Sequence, residues 1–246
     1  MHFETHLRRY LFAGGIAYLA NILLGLFGEA FVRSTLIVAG DAMATASNIA
    51  QSPGLWRAGI AGDLVMQLLD IPLIVLFYLL LRPISQPLAL CATILNIVQT
   101  AVLAANKLTL LAPLLLAADY LGPAAVSPQL HAALTQFAVN LHGHGFAIGL
   151  IFFGFTCLIR GYLIVRSGFL PATLGILLLA AGVSYLINSA ALLFAPALAG
   201  MLFPWVLLPS LIGELALSLW LICRGIKLDV WQARLRAMQQ PASLPA

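Results

Sequence analysis

One apolar stretch decides the fold: Arg57-Ala-Gly-Ile-Ala-Gly-Asp63-Leu-Val-Met-Gln-Leu-Leu-Asp70-Ile-Pro-Leu-Ile-Val-Leu-Phe-Tyr-Leu-Leu-Leu81. At a rise of about 1.5 Å per residue, a helix of this length crosses the roughly 30 Å hydrocarbon layer of a bilayer. Two acidic residues, Asp63 and Asp70, nevertheless lie within it. A charge in hydrocarbon costs about 2.5 kcal/mol or more, so such residues normally face a bundle interior or a water-filled cavity. The stretch therefore predicts a membrane helix with one polar face.

The composition extends this prediction to the whole chain. The sequence is 62% hydrophobic and 8% charged, with a mean hydropathy of +1.03, whereas soluble domains contain about 25% charged residues. We predict an all-α fold, a polytopic transmembrane bundle of about six helices. The predicted spans are 10–30, 57–81, 86–118, 129–160, 169–195 and 203–224. The third and fourth exceed the bilayer thickness, so we expect them to tilt, kink or protrude.

Basic residues beside the span ends predict the topology. The side predicted to be cytoplasmic carries Arg8, Arg9, Arg82, Arg160, Arg166, Arg224, Lys227, Arg234 and Arg236. The other side has only Arg33 and Arg57. By the positive-inside rule, both termini are cytoplasmic. This use of the basic residues leaves no patch for nucleic acid, despite the net charge of +4.

Two short helices are predicted outside the spans. Residues 40–53 suggest an external helix between the first two spans, with Asp41 as N-cap and Ser52-Pro53 as the stop. Met43, Ala46, Ile49 and Ala50 are predicted to share one face of this helix, which would lie on the bundle or in the membrane interface. We assign residues 1–225 to one transmembrane domain and 226–246 to a cytoplasmic basic tail. The apolar face of the tail, formed by Leu228, Trp231, Leu235 and Met238, is expected to bind the anionic inner leaflet of the lipid bilayer.

Several separate segments resemble a known bacterial family. They include Leu141-His-Gly-His-Gly-Phe-Ala-Ile-Gly149 and Leu208-Pro-Ser-Leu-Ile-Gly-Glu214, together with residues 31–49, 55–64 and 161–171. The chain resembles the membrane proteins grouped as domain of unknown function 4386, over about residues 10–225. The resemblance implies a multi-pass protein of the bacterial inner membrane. It implies no activity, and it provides no site residues to transfer.

The candidate functional residues come from polar stripes on the spans, because residues four or seven apart share a helix face. We expect the stripes to meet in one polar cavity reached from outside. Its candidate residues for binding a ligand or a proton are Glu29, Asp63, Asp70, Lys107, His142, His144 and Glu214. Lys107 is the predicted counter-ion of Asp70 or Glu214. Pro72 and Pro209 are expected inside helices, where each would free a backbone carbonyl.

Three functional interpretations stay open. The leading one is binding of a small ligand or a proton, extending to transport. The second is an intramembrane enzyme acting on lipid-like substrates through a carboxylate and His142. The third is a structural or regulatory membrane protein whose polar groups join the helices. The sequence favours no enzyme, because it contains none of the common hydrolase, metalloprotease or nucleotide-binding motifs. Catalytic residues and oligomeric state are therefore left unassigned.

No cofactor or metal is predicted. His142 and His144 are two residues apart, so they point about 200° apart on a helix and cannot chelate one ion without a break. A zinc site of one histidine with Asp70 and Glu214 stays an alternative.

The cysteines and a repeat of glycines provide two further predictions. The three cysteines, Cys91, Cys157 and Cys223, are expected to be unpaired and buried. Glycines recur every seven residues, which predicts close packing of the fourth and fifth helices. We attribute the continuation of this repeat across the intervening loop to chance. The glycines are Gly154, Gly161, Gly168, Gly175 and Gly182.

Overall fold

The computed structural model describes residues 2–117 and 127–239, and every regular element in these ranges is helical. Six helices are long and apolar enough to cross a membrane. In chain order, the first to sixth spans are His6–Leu36, Pro53–Leu81, Gln86–Ala117, Pro128–Ser167, Ala172–Phe194 and Trp205–Cys223. The predicted all-α bundle of six spans is confirmed. Most of the connection between the third and fourth predicted spans, 119–128, and the end of the predicted tail, 240–246, lie outside the described residues.

The first span begins as an α-helix, His2–Leu26, and continues as a π-helix, Phe27–Arg33, and a final turn, Ser34–Leu36. Shorter helices cover Ala42–Gln51, Pro196–Leu202 and Leu228–Gln239. The sixth span combines a 3₁₀ turn, Trp205–Leu207, with the α-helix Leu208–Cys223. The first and fourth spans extend past their predicted ends at residues 30 and 160.

Consecutive spans run antiparallel, and glycines allow the closest crossing. A Cβ on Gly161 would lie 2.7 Å from the backbone oxygen of Gly175, and one on Gly182 would lie 2.7 Å from that of Gly154. Gly168, at φ 75°, caps the fourth span between them. Glycines seven and fourteen residues on either side of Gly168 therefore face one another across the hairpin. The heptad repeat encodes this packing, and our attribution of its continuity to chance was wrong.

The two ends of the bundle differ. We call the end with the helix Ala42–Gln51 the Asp41 end, and the opposite end the Trp231 end. At the Trp231 end, the helix Leu228–Gln239 packs against the bundle: Trp231 is 1% exposed, and its Nε1 donates to the Leu80 carbonyl oxygen at 3.1 Å. Leu235 is also buried, while Leu228 and Met238 are exposed. Part of the apolar face that we expected to meet lipid is thus in the protein core.

At the Asp41 end, the short helix also packs on the bundle. The side chain of Asp41 accepts a hydrogen bond from the backbone N–H of Ala44 at 2.9 Å, so the predicted N-cap is confirmed. The predicted stop is confirmed as well, because the helix ends at Gln51. The buried residues are Thr45, Ala46 and Ile49. Met43 and Ala50 are exposed, so only Ala46 and Ile49 of the predicted face pack on the bundle.

Candidate functional site

A charged cluster joins three spans near the Asp41 end. Asp63, on the second span, is 1% exposed. Its Oδ2 accepts a hydrogen bond from Arg33 Nη1 at 2.8 Å and lies 2.9 Å from Lys107 Nζ. Glu29, whose side chain is 58% exposed, accepts from Arg33 Nε at 2.7 Å. One buried carboxylate oxygen therefore holds two buried cations, one from the first span and one from the third.

The π-helical segment of the first span carries the residues that reach Asp63. A π-helix has one more residue per hydrogen-bonded turn than an α-helix, and such segments are frequent at functional sites. The backbone N–H of Ser34 accordingly bonds the carbonyl of Glu29, five residues earlier. Gly28 lies against the cluster, since a Cβ there would be 2.8 Å from Asp63 Oδ1 and 2.9 Å from Arg33 Nη2. A larger residue at position 28 would have to displace the ends of the Asp63 and Arg33 side chains.

The same region contains buried polar atoms without partners. Asp63 Oδ1 has no hydrogen-bond partner among the described residues. One turn along the second span, Gln67 is 4% exposed, and neither its Oε1 nor its Nε2 is bonded within the described ranges. Buried polar groups are nearly always hydrogen-bonded, because leaving one unpaired costs about 1–3 kcal/mol. These three atoms therefore have unused capacity to donate and accept hydrogen bonds.

A second polar set surrounds Asp70, two turns from Asp63. The half-buried carboxylate of Asp70 accepts from Asn21 Nδ2 at 2.7 Å through Oδ1 and from Thr100 Oγ1 at 3.1 Å through Oδ2. This carboxylate thus receives one donor from the first span and one from the third.

Glu214 and Arg160 are buried as well, on the sixth and fourth spans. Glu214 is 8% exposed, and its Oε1 accepts from the hydroxyl of Tyr185. Arg160 is 6% exposed, its guanidinium carbon lies 4.6 Å from the ring centre of Phe77, and its Nη2 has no hydrogen-bond partner in the described part of the chain.

The two histidines occupy separate environments. His142 is buried, where Asn106 Nδ2 lies 3.1 Å from its Nδ1 and donates to its carbonyl oxygen at 2.8 Å. His144 is exposed, with Nδ1 2.8 Å from the carbonyl oxygen of Asn140. Among the described residues, no three His, Cys, Asp or Glu side chains are placed to hold a metal ion. The alternative zinc site of a histidine with Asp70 and Glu214 is therefore not formed.

An open cavity also lies at the Asp41 end. Its volume is about 460 Å³, and it is lined by residues from the loop after the first span, the short helix and the fourth span: Ile37, Ala39, Gly40, Ala42, Gln136 and Asn140. Within this lining, Gln136 Nε2 donates to Asn140 Oδ1 at 2.9 Å, while Gln136 Oε1 has no partner among the described residues.

The structure therefore distributes the seven candidates among different environments. Glu29, Asp63 and Lys107 meet in the charged cluster, whereas the other candidates lie elsewhere. The prediction that Lys107 pairs with Asp70 or Glu214 was wrong, because its partner is Asp63. Pro209 is not inside a helix either, since it lies in the first turn of Leu208–Cys223. The single outward cavity stays a prediction.

Sequence reasoning missed two buried cations and misjudged two cysteines. Arg33 and Arg160 were assigned to the flanks of spans, yet both are buried within them. Their signal was available, because each is followed by further apolar residues at helical spacing. Cys157 is buried as expected, but Cys91 and Cys223 are exposed; all three are free thiols.

Comparisons with known proteins identify a family but assign no activity. The model of a family described as a domain of unknown function, DUF4386, matches residues 13–225. A protein of Archaeoglobus fulgidus, named only as an uncharacterized protein, is 26% identical over 170 residues, which cover 69% of this chain and 85% of the relative. No solved structure matches the chain.

Proposed function

We propose that this multi-pass membrane protein, which belongs to the DUF4386 family, binds a small hydroxylated ligand between Asp63 and Gln67. The description of the family states no activity, so the proposal is argued from the site. The binding site lies inside the bundle and near the Asp41 end. Transport of the same ligand is the extended form of the proposal.

The observation that carries this proposal is the group of three unpaired polar atoms, Asp63 Oδ1 and the two amide atoms of Gln67. Asp63 Oδ1 requires a donor, whereas the amide of Gln67 can both donate and accept. A hydroxyl group meets both needs, because it carries one donor hydrogen and two acceptor lone pairs. A ligand with two neighbouring hydroxyls would satisfy the whole group.

The charges of the cluster favour a neutral ligand. Glu29 and Asp63 carry two formal negative charges, and Arg33 and Lys107 carry two positive ones, so the cluster sums to zero. A charged ligand would leave an uncompensated charge in a low-dielectric interior, which is costly. We therefore expect uncharged polyols, sugars or similar compounds to bind better than acids or amines.

The remaining basic residues support entry from outside the cell. Because Arg33 and Arg160 are buried, they no longer count among the exposed basic residues that set the topology. The remaining exposed basic residues are distributed still more unequally between the two ends of the bundle. At the Asp41 end, the exposed cation that our topology prediction counts is Arg57. The Trp231 end carries Arg8, Arg9, Arg166, Arg224, Lys227, Arg234 and Arg236, all exposed. By the positive-inside rule, we propose that the Trp231 end faces the cytoplasm and that the protein lies in a bacterial inner membrane.

The test compares wild type with Gln67→Leu, a change of similar volume. Without ligand, replacing an unpaired buried amide by an apolar side chain should be neutral or stabilising. We would measure thermal unfolding of the detergent-purified protein with glycerol, inositol, glucose, acetate and ethanolamine. A probe at about 100 times its Kd should stabilise wild type by about 2.7 kcal/mol.

The expected result is a hydroxylated probe that raises the unfolding temperature of wild type but not of Gln67→Leu. Gln51→Leu serves as the matched control, because it makes the same exchange at an exposed glutamine outside the cluster and should keep the response. If every probe affects wild type and Gln67→Leu equally, the proposed binding site is wrong, and the cluster joins helices only.

A further inference from the structure

The connection between the fifth and sixth spans is apolar and strongly exposed. The sequence contains no charged residue between Arg166 and Glu214, and this stretch includes the whole connection. Of the short helix Pro196–Leu202, Ala199 is the buried residue. The large exposed side chains of the connection and of the last residue before it have exposed fractions of 47% to 82%: Phe194, Leu198, Met201, Phe203 and Trp205. An apolar patch of this kind marks an interaction surface.

Contacts between the two spans fix the register of the sixth span against the fifth. Ser184 Oγ lies 3.1 Å from Ser210 Oγ. A Cβ on Gly213 would lie 2.7 Å from the carbonyl oxygen of Leu177. The two spans run antiparallel with the same rise per residue, so residues that follow Ser184 are level with residues that precede Ser210.

This register places Trp205 well below the end of the fifth span. Trp205 is level with about position 189 or a deeper one, whereas the fifth span continues to Phe194. The difference of about five residues corresponds to about 8 Å along the helix axis. The α-helical part of the sixth span, Leu208–Cys223, has 16 residues and is about 24 Å long, less than the roughly 30 Å hydrocarbon layer. The connection therefore lies partly within the depth of this layer.

The backbone of the connection suits an apolar environment. Leu207 donates its N–H to the carbonyl oxygen of Pro204 at 3.0 Å, and the carbonyl oxygen of Val206 accepts from the hydroxyl of Ser184. Pro196 and Pro204 have no N–H group to bond. Unpaired backbone groups are costly in hydrocarbon, and these features reduce their number.

We propose that residues 196–205 lie in the acyl-chain region of the leaflet at the Asp41 end, and that phospholipid acyl chains cover their exposed side chains. The exposed apolar surface continues on both adjoining spans, through Val183 and Ile187 of the fifth and Leu208 and Ile212 of the sixth. The connection thus extends the lipid-facing surface of the bundle instead of forming a loop in water. This surface is separate from the ligand site, so neither proposal depends on the other.

Trp205 provides the probe for this contact. The full chain would be reconstituted in lipid nanodiscs, where water reaches both faces, and the tryptophan emission of Trp205→Phe would be subtracted from that of wild type. The difference is the emission of Trp205. It would be measured in nanodiscs of brominated phosphatidylcholine, which quenches indoles that contact acyl chains, and in unbrominated nanodiscs with iodide, which quenches indoles that contact water.

We expect brominated lipid to quench most of the Trp205 emission and iodide to leave it nearly unchanged. Trp231→Phe is the matched control, because it makes the same exchange at a tryptophan that is 1% exposed; its difference emission should resist both quenchers. Strong quenching of Trp205 by iodide would place the connection in water and overturn the proposal. Resistance to both quenchers would mean that protein, such as a second copy of this chain, covers Trp205, and would overturn it as well.

Discussion

Replacing Asp63 with asparagine should destabilise the bundle far more than any other neutral substitution in the charged cluster. The carboxylate is 1% exposed, and a single oxygen lies 2.8 Å from Arg33 Nη1 and 2.9 Å from Lys107 Nζ. Asparagine keeps the shape but removes the negative charge, so two buried cations lose their shared partner. Removing one member of a buried ion pair costs about 3–5 kcal/mol. We expect Asp63→Asn to fall at the upper end of this range.

The matched control is Glu29→Gln in the same cluster. The side chain of Glu29 is 58% exposed and pairs with Arg33, which keeps Asp63 as its other partner. Exposed ion pairs contribute about 1 kcal/mol or less. Both substitutions remove one negative charge from a side chain that pairs with Arg33. The difference between their free energies of unfolding therefore measures the effect of burying the carboxylate.

A second change should partly rescue the first. Lys107→Met removes one stranded cation and keeps an apolar chain of similar length, so Asp63→Asn/Lys107→Met should recover about 1–3 kcal/mol relative to Asp63→Asn alone. Reversible unfolding in mixed detergent micelles would give the free energies of all four forms. If Asp63→Asn costs no more than Glu29→Gln, or the double variant is no more stable than Asp63→Asn, our account of the cluster is refuted.

Two further predictions concern packing, and the same unfolding measurement checks them. Gly161→Ala should cost about 1–3 kcal/mol, because its Cβ would meet a facing backbone oxygen at 2.7 Å; Gly143→Ala, in open space on the same span, should instead stabilise by about 0.5–1 kcal/mol. Equal effects at the two sites would contradict the close crossing. Trp231→Phe should cost about 1–3 kcal/mol by leaving the Leu80 carbonyl oxygen without its indole donor, whereas Trp205→Phe, at a 70% exposed residue, should change little. A loss as large at the exposed tryptophan would argue against the Trp231 contact.

The spans and one cap could be predicted because they depend on local properties. A run of about 20 apolar residues has few alternatives to a membrane helix, since its backbone must be hydrogen-bonded internally. Asp41 could be identified because an N-cap is read from its own side chain and the residues that follow. Gly168 was recognised as part of the glycine repeat, but its place as the cap between two packed helices was missed. A periodicity count does not show that two helices fold back on one another.

The partners of the charged residues could not be predicted, because the spacing of a stripe fixes a helix face but not the neighbouring helix. Lys107 could have faced any of the buried acids, and its choice of Asp63 depends on the relative rotation and depth of two spans. The burial of Arg33 and Arg160 within their spans was missed for another reason. A hydropathy window ends a span at a charged residue, yet these helices continue to Leu36 and Ser167 because the charges turn inward.

The apolar core at the Trp231 end has a consequence for truncation of the chain. Trp231 and Leu235 are buried in the same hydrophobic cluster as Leu80 and Phe169, although the helix that carries them lies outside the six spans. A chain cut after residue 225 would keep every span but would uncover the apolar side chains that pack against Trp231 and Leu235. Large exposed apolar patches favour aggregation, so the helix Leu228–Gln239 protects the bundle surface on which it packs.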